Sequence, residues 1–342
     1  IFITGAASGA DEMKQEKPMA RVIVEAGKVE RIDTPVDVVL PAEFAGQQVR
    51  LVEVKDGGRV PVASQISKDG KDERLCWILS GKTPADSKRV YELEKGKPVE
   101  CPGVSIRDKD AALEAICGDK PVLRYKYGIE LPPEGKTNTY ARSGFVHPVW
   151  SPAGQVLTSI HAPDHIHHMG LWNAWTSAEF EGRKLDFWNI KEGKATVRCA
   201  KCRECTGGPV FGSFKVLQEH VDLSAPGGAK IALNEDLEVR VWNTGGGKGY
   251  WLFDWISVQR CASSSPLHLL QYRYGGLGFR ATLEWGLNNS DYLTSEGKTR
   301  NDGHGTRTRW GTMSGKTAGG EAGLLMMAHP QNREYPEPIR IW

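Results

Sequence analysis

The chain has 342 residues and a formal net charge of +2, because 44 Lys and Arg nearly balance 42 Asp and Glu. This balance argues against a basic nucleic-acid-binding surface and against an acidic tail, so no nucleic-acid partner is expected. No stretch offers the roughly 18 apolar residues that a membrane-spanning helix needs, so no membrane span is expected. The 39 glycines, 19 prolines and 11 tryptophans favour β-structure with tight turns.

The first seventeen residues predict a segment outside the fold. An apolar start is followed by small residues over positions 5–10 and then by charged sequence, as at the end of a secretory signal peptide. We therefore expect 1–17 to be a signal-peptide remnant and flexible leader, with the sequence beginning inside the signal. The mature protein is then expected to be periplasmic or secreted. The alternative is an ordinary N-terminal strand.

Residues 18–98 predict a small β-sandwich. Runs such as R-V-I-V-E and V-R-L-V-E-V-K alternate or are rich in β-branched residues. Asp56-Gly57-Gly58 between two apolar runs indicates a hairpin. Because this region shows no cluster of acids, bases or metal ligands, we interpret it as a structural or docking domain. Glu94–Gly103 is the expected linker.

Residues 99–342 predict one large antiparallel sandwich, which makes the expected fold class all-β. Strand patterns recur to the end of the chain without an internal repeat, and only residues 108–116 resemble a short helix. Three cysteines at 199, 202 and 205 have the spacing of a metal or cluster site, but a second ligand group is absent. Surface thiols or one local disulfide are expected instead.

The segment D-H-I-H-H-M-G-L-W-N-A-W at 164–175 is the strongest candidate site. In a strand, His165 and His167 face one side and His168 the other. Such histidines could share acid and base roles or hold a divalent metal, and the residues leave that choice open. Nearby prolines disfavour helix, so His147 is expected to join them. The alternative is a set of core histidines.

Further residues are expected to complete the site. A carboxylate from Asp164 or Asp186 could fix a histidine tautomer. Tryptophans at 172, 175 and 188 offer flat faces for a sugar ring. Arg280, after G-G-L-G-F, either clamps the ligand or forms a surface ion pair. Three more candidates come from late turns and loops: Glu296, His329 and Asn332.

Several of these motifs resemble one bacterial family, labelled PmoA-like or "methane oxygenase PmoA". The resemblance rests on R-S-G-F-V-H-P-V-W-S-P-A-G-Q-V-L-T, A-P-D-H-I-H-H-M-G-L-W-N-A-W, L-D-F-W-N, Y-G-G-L-G-F-R and A-H-P-Q-N-R, and covers about residues 120–342. Met169 stands where the family usually has Arg, Tyr335 stands where it often has His, and the Cys199–Cys205 run is unusual. The family usually continues beyond Trp342.

The resemblance implies a galactose-mutarotase-like β-supersandwich and a role in carbohydrate metabolism. Methane oxidation is rejected, since the membrane subunit of that enzyme spans the bilayer. We expect an exported carbohydrate-active enzyme, a hydrolase, lyase or epimerase, acting on a sugar or glycoside. The alternatives are a non-catalytic sugar-binding protein and a metal-dependent oxidoreductase. The expected acid–base residues are His147, His165, His167, His168 and Glu296. The expected ligand-binding residues are Asp164, Trp172, Trp175, Asp186, Trp188, Arg280, His329 and Asn332.

Overall fold

The computed structural model describes residues 2–4, 18–55, 57–245 and 247–341. Most of the predicted signal remnant and leader, residues 5–17, lies outside the described residues, and so does Trp342. The described chain divides into two compact units, which are treated separately below. The first unit joins residues 1–105 with 206–213 and 240–253, and the second holds 106–205, 214–239 and 254–342. The predicted domain boundary after residue 98 stays a prediction.

The N-terminal strands are β1 (Phe2–Thr4), β2 (Ala20–Glu25), β3 (Arg31–Val39), β4 (Val49–Lys55), β5 (Gly58–Val62), β6 (Ser64–Asp69), β7 (Asp72–Thr83) and β8 (Lys88–Lys95). The later strands are β9 (Val104–Lys109), β10 (Ala112–Cys117), β11 (Lys120–Lys126), β12 (Phe145–Val149), β13 (Ile160–Ala162), β14 (His165–Met169), β15 (Leu171–Ala174), β16 (Ala178–Phe180), β17 (Arg183–Leu185), β18 (Ala195–Thr206), β19 (Phe211–Asp222), β20 (Lys230–Trp242), β21 (Leu252–Cys261), β22 (Leu267–Leu269), β23 (Gly276–Phe279), β24 (Ser290–Thr294), β25 (Trp310–Thr317) and β26 (Gly320–Met327). Two 3-10 helices span Ala42–Phe44 and Asn138–Tyr140.

The all-β prediction is confirmed, because the described residues contain strands and two 3-10 turns but no α-helix. None of their helices could cross a membrane. The short helix expected at 108–116 is wrong, since β9 and β10 occupy that range as a hairpin. Its turn residues Asp110 and Ala111 have φ of 53° and 52°. A left-handed pair turns the chain back on itself, and a segment this short cannot nucleate a stable helix alone.

The N-terminal unit contains the expected small sandwich. One sheet has the order β1-β2-β8-β4-β5 and the other β3-β7-β6. In β2, the alternation of Ala20, Val22 and Val24 buries every second side chain. These residues share one core with Leu75 and Trp77 of the other sheet. The predicted hairpin is confirmed, because β4 pairs with β5 in antiparallel fashion and Lys55 is opposite Gly58.

The second unit is built from antiparallel sheets around an aromatic core. A six-stranded sheet has the order β23-β15-β12-β11-β10-β9, and a four-stranded sheet has the order β18-β19-β20-β21. Smaller sheets are β13-β14, β17-β16-β22 and β24-β25-β26. One core cluster joins Phe145, Trp172 and Phe187 with Ala232 of the four-stranded sheet. The pairing of β15 with β23 brings the histidine segment beside the G-G-L-G-F-R segment.

Candidate functional site

Three histidines of β14, which pairs with β13 in a two-stranded sheet, form one cluster. The ring centroids of His165 and His168 lie 4.7 Å apart and nearly parallel, at 13°. His167 meets these rings edge-on, at 5.6 Å from His165 and 4.6 Å from His168. All three side chains are half-buried. We call His165, His167 and His168 the histidine cluster.

A bulge in β14 brings the three rings together. Strand alternation predicts His168 on the opposite side from its neighbours, and that expectation is wrong. Ile160 pairs with Met169 and Ala162 with His165, so β14 has two more residues than β13 between the same pairs. Such a bulge redirects side chains. His161 supports it, since its Nδ1 lies 2.8 Å from the carbonyl oxygen of Ile166.

Gly170 fixes the end of this segment against the neighbouring strands. It has φ of +61°, and a Cβ there would lie 2.1 Å from the carbonyl oxygen of Val146. Its own carbonyl accepts a 2.7 Å hydrogen bond from the backbone N–H of Arg280. A glycine is therefore required here by both backbone conformation and close approach. The result is that Arg280 is anchored beside the histidine cluster.

Asp164 connects Arg280 to the cluster. The Arg280 guanidinium donates to both carboxylate oxygens of Asp164, at 2.9 and 2.6 Å. Asp164 Oδ2 also lies 2.8 Å from His165 Nδ1. Burial raises the pKa of Asp164, but the hydrogen bonds from Arg280 and His165 outweigh it and hold that pKa well below its ordinary value. An ionised Asp164 accepts a hydrogen bond, so Nδ1 of His165 carries the proton and neutral His165 has its basic lone pair on Nε2.

The other two members of the cluster are neutral at pH 7. Burial, followed by the neighbouring His165 and Arg142, lowers the pKa of His167 to about 4. Burial, followed by His167 and His165, lowers the pKa of His168 to about 2. His167 and His168 therefore offer a ligand uncharged ring faces and hydrogen-bonding nitrogens. His165 is the candidate for proton transfer.

A row of aromatic rings extends from the cluster. Trp172 lies 5.0 Å from the His168 ring, and Trp188 lies 4.6 Å from Trp172. Tyr274 follows at 5.3 Å from Trp188, and Tyr272 at 5.0 Å from Tyr274. We call these four residues the aromatic row. Trp172 is 1% exposed and Tyr272 is 48% exposed, so the row runs from the core to the surface.

Glycine makes room for the row. Gly278 pairs with Trp172 across β15 and β23. A Cβ at Gly278 would lie 2.6 Å from the Trp188 ring and 2.8 Å from the Trp172 ring. The G-G-L-G-F-R motif therefore permits the close approach that its glycines suggested. Sequence reasoning missed Tyr272 and Tyr274, although the alternation Y-R-Y just before this motif was available as a signal.

A buried polar network lies beside the row and was also missed. His220 and Glu235 are fully buried, with 3.1 Å between Nε2 and Oε2. The second oxygen of Glu235 accepts hydrogen bonds from Asn173 at 2.8 Å and Ser257 at 2.6 Å. Burial raises the pKa of Glu235, but these bonds, led by that of His220, lower it overall. The network fixes Asn173 and therefore the strand that carries Trp172.

Three residues expected at the site have other local roles. His147 lies 2.9 Å through Nδ1 from Thr158 Oγ1, makes no ring contact with the cluster within the described ranges, and has its pKa lowered to about 4 by burial. Asp186 accepts from the backbone N–H groups of Trp188 and Asn189, so it holds a turn. Trp175 donates to Gln259 and packs on Gly275 instead of joining the row.

Three later candidates have local partners as well. Glu296 is bonded to Ser295 at 2.6 Å in an exposed turn. Asn332 donates to Glu337 at 2.7 Å, and the Nδ1 of His329 accepts from the backbone N–H of Gln331. No contact among the described residues joins Glu296, His329 or Asn332 to the histidine cluster. Turns and Pro-containing loops use such side chains to satisfy their own backbone, and sequence alone does not separate that use from catalysis.

The cluster does not fit a metal. Within the described parts of the chain, no three His, Cys, Asp or Glu side chains are grouped so that they could hold a metal ion. The ring geometry explains why, since the stacked, nearly parallel imidazoles of His165 and His168 do not direct their nitrogens to one point.

The seven cysteines are free, so the alternative of a local disulfide is wrong.

One cavity lies next to the aromatic row. It has a volume of about 310 Å³ and is lined by Thr176, Asp186, Asn189 and neighbouring residues, but by no histidine. Asn189 joins it to the row, since its Oδ1 accepts a 3.3 Å hydrogen bond from Tyr274 Oη. The chemistry of the site therefore lies on a half-buried surface, and the cavity lies at its side.

A family model described as a family of unknown function (DUF6807) matches residues 112–342. No curated protein matches the chain. An alpha-mannosidase from Enterococcus faecalis V583 is similar at 11% identity and a TM-score of 0.37, over 90% of this chain and 39% of that one. A protein in the Glycosyl Hydrolase Family 38 from Enterococcus faecalis is similar at 11% identity and a TM-score of 0.32, over 89% and 39%. The chain thus spans about two fifths of these solved chains.

Proposed function

The chain belongs to the DUF6807 family of unknown function, and we propose that its histidine cluster and aromatic row bind a carbohydrate on which His165 acts as a general acid–base. The observation that supports this most is the Arg280–Asp164–His165 series of hydrogen bonds. A carboxylate that is itself held by two bonds fixes both the ring and the tautomer of the histidine, as acid–base catalysis requires.

The carbohydrate part of the proposal rests on the aromatic row. Sugar rings present apolar C–H faces and hydroxyl edges, so they stack on aromatic rings while polar groups bind the edges. Tyr274 and Tyr272 offer partly exposed rings, and Trp188 and His168 continue the same surface inward. The resemblance to the PmoA-like family agrees with a carbohydrate role and stays a prediction.

The proton-transfer part uses only residues of this chain. With Nδ1 bonded to Asp164, Nε2 of His165 removes a proton from a bound sugar hydroxyl or ring carbon and returns it later to the product. His167 and His168 stay neutral, so they do not repel the imidazolium that forms at His165. Arg280 keeps Asp164 ionised and facing the ring.

The experiment uses the purified 342-residue chain and a library of oligosaccharides and glycosides, with binding measured by calorimetry and turnover by mass spectrometry. His165→Asn keeps a side-chain N–H near Asp164 but removes Nε2. We expect it to lower kcat by about 10²–10⁴-fold and to leave the Kd nearly unchanged. The exposed His304→Asn is the matched control and should behave as the wild type.

Each outcome decides one part. Binding with wild-type turnover in His165→Asn shows that the acid–base assignment is wrong. Binding without turnover in the wild type shows a sugar-binding protein instead of an enzyme. A library in which no sugar binds overturns the proposal as a whole.

A further inference from the structure

The cavity beside the aromatic row has a polar lining and belongs to the same unit of the chain. Its volume is about 310 Å³, and its lining includes the polar side chains of Thr176, Ser177, Asp186 and Asn189. Small-molecule sites are clefts of about 300–1,000 Å³ in which a few polar groups fix the orientation of the ligand. The cavity is therefore large enough for one small ligand or for one unit of a longer ligand.

Two residues of this cavity hold Tyr274 of the aromatic row. Thr176 Oγ1 donates a 2.9 Å hydrogen bond to the carbonyl oxygen of Tyr274. The Tyr274 Oη donates at 3.3 Å to Asn189 Oδ1. The backbone and the phenol of one half-buried tyrosine are thus bonded to the cavity lining. A sugar ring that stacks on Tyr274 consequently lies next to the cavity.

The cavity lining has hydrogen-bonding groups that the protein does not use. Ser177 Oγ has no hydrogen-bond partner among the residues that the structure describes. Asn189 Nδ2 donates one bond, at 2.7 Å to Asp186, and Asn189 Oδ1 accepts one from Tyr274. A side-chain amide has two donor hydrogens and two acceptor lone pairs, so one of each remains. Hydroxyl groups of a sugar both donate and accept, and they match this set.

The backbone of the cavity wall is strained. Ile190 follows Asn189 directly and has φ of 50°. A β-branched residue in this left-handed region is unusual, and such conformations persist only where the surrounding structure imposes them. Here the surroundings are visible, because Asp186 accepts from the backbone and the side chain of Asn189, and Ile190 itself is buried. The strained turn holds the Asn189 amide at the boundary between the cavity and the row.

We infer that the cavity is a second subsite, which binds the sugar unit adjoining the one that stacks on the aromatic row. This inference rests on the proposed function and specifies its substrate class as a disaccharide or a longer glycoside. Asn189 would then contact both units, since it lines the cavity and is bonded to Tyr274. A single sugar on the row would leave the cavity groups bonded only to water.

The test measures Kd by calorimetry for methyl glycosides in the gluco, galacto and manno configurations, each as mono-, di- and trisaccharide. Ser177→Leu fills the cavity, and Ser177→Ala removes only the hydroxyl. Ser67→Leu is the matched control, because this half-buried serine lies on β6 in the other unit. Urea unfolding shows whether each variant is folded. If Ser177→Leu does not fold, Ser177→Ala alone decides.

We expect the wild type to bind one disaccharide at least tenfold more tightly than its monosaccharide. Ser177→Leu should reduce this ratio to about one. Ser177→Ala should reduce it by about 2- to 10-fold, which is the effect of one hydrogen bond. Ser67→Leu should keep the wild-type ratio.

Two results overturn the inference and leave the proposed function in place. One is equal binding of mono- and disaccharides by the wild type. The other is a ratio that stays at the wild-type value in both Ser177 variants, whether affinity is kept or lost equally for all sugars. Absence of binding for every glycoside overturns the inference and the proposed function together.

Discussion

Asp164 is the residue that fixes the tautomer of His165, through the hydrogen bond between its carboxylate and Nδ1 of that histidine. In Asp164→Asn the amide N–H₂ can face His165 Nδ1 and favour the opposite tautomer, as well as leaving Arg280 without its carboxylate. We expect kcat to fall by about 10–100-fold, the usual range for a residue that orients another, with little change in KM. Steady-state kinetics on the substrate found in the library screen measures both.

Asp302→Asn is the control for this change, because Asp302 is an exposed carboxylate bonded to Thr299. It should leave both constants as in the wild type. An Asp164→Asn variant with full kcat would show that His165 does not depend on its partner. A variant that raises KM alone would place Asp164 in ligand binding instead.

His167 makes stability depend on pH. Its pKa is about 4 in the folded chain against 6.5 for an unperturbed histidine, so the unfolded chain binds the proton first as pH falls. Stability is therefore lost between pH 6.5 and pH 4. In His167→Gln, the drop in unfolding free energy from pH 7 to pH 4.5 should be smaller by roughly 2 kcal/mol, at 1.36 kcal/mol per pKa unit.

Urea unfolding at the two pH values measures this difference. His304→Gln should show the same drop as the wild type, since that side chain is exposed. Parallel pH profiles for the wild type and His167→Gln would contradict the buried, neutral state assigned to His167.

At the scale of elements, β23 positions the aromatic row through Gly278. In Gly278→Ala the new Cβ would have to displace two tryptophan rings, whose nearest atoms lie at 2.6 and 2.8 Å. We expect a loss of about 1–3 kcal/mol, as for overpacking of a core, together with a shift in tryptophan fluorescence. Gly286→Ala is the control, because the nearest atom there is 3.8 Å away. Equal stability of the two variants would contradict the tight packing of the row.

The β9–β10 turn gives a prediction of the opposite sign. Ala111 has φ of 52°, a conformation that costs a residue with a Cβ about 1–2 kcal/mol. Ala111→Gly removes that cost and adds about 0.5–1 kcal/mol of unfolded-state entropy. We therefore expect stability to be unchanged or up to about 1 kcal/mol higher. Ala153→Gly, in a turn without positive φ, should lower stability, and a loss of similar size in both would contradict the turn geometry.

At the scale of the whole molecule, the N-terminal unit is not continuous in sequence. Cys76 and Ile78 pack with Val210, Phe211 and Trp242 in one buried cluster of that unit. A fragment of residues 18–98, cut at the predicted boundary, would expose this apolar surface. We expect its NMR spectrum to be less dispersed and its urea transition broader than those of the unit in the full chain. A sharp, cooperative transition in the fragment would show that the later segments are dispensable.

The sequence allowed the fold class to be predicted because strand alternation is local, as Ala20, Val22 and Val24 show. It was also predictable that several of these side chains lie at one site, because they fall within 24 positions of the sequence: His165, His167, Trp172 and Trp188. The inclusion of His168 was not, because a bulge cancels the alternation on which its side was assigned. The actual partner of Arg280 was not predictable either. An arginine after G-G-L-G-F can pair with a surface carboxylate or bind a ligand, and the sequence around it is the same in both cases.

The pairing of β15 with β23 also has a consequence for the order of folding. Leu171 pairs with Phe279, 108 positions later in the chain, so loop closure must come before this pairing contributes stability. During synthesis the histidine segment therefore emerges long before Arg280, and Asp164 cannot bind Arg280 until that residue, 116 positions later, has been made. In refolding experiments, the ion pair between Asp164 and Arg280 should therefore form in the slowest phase, after the local hairpins have formed.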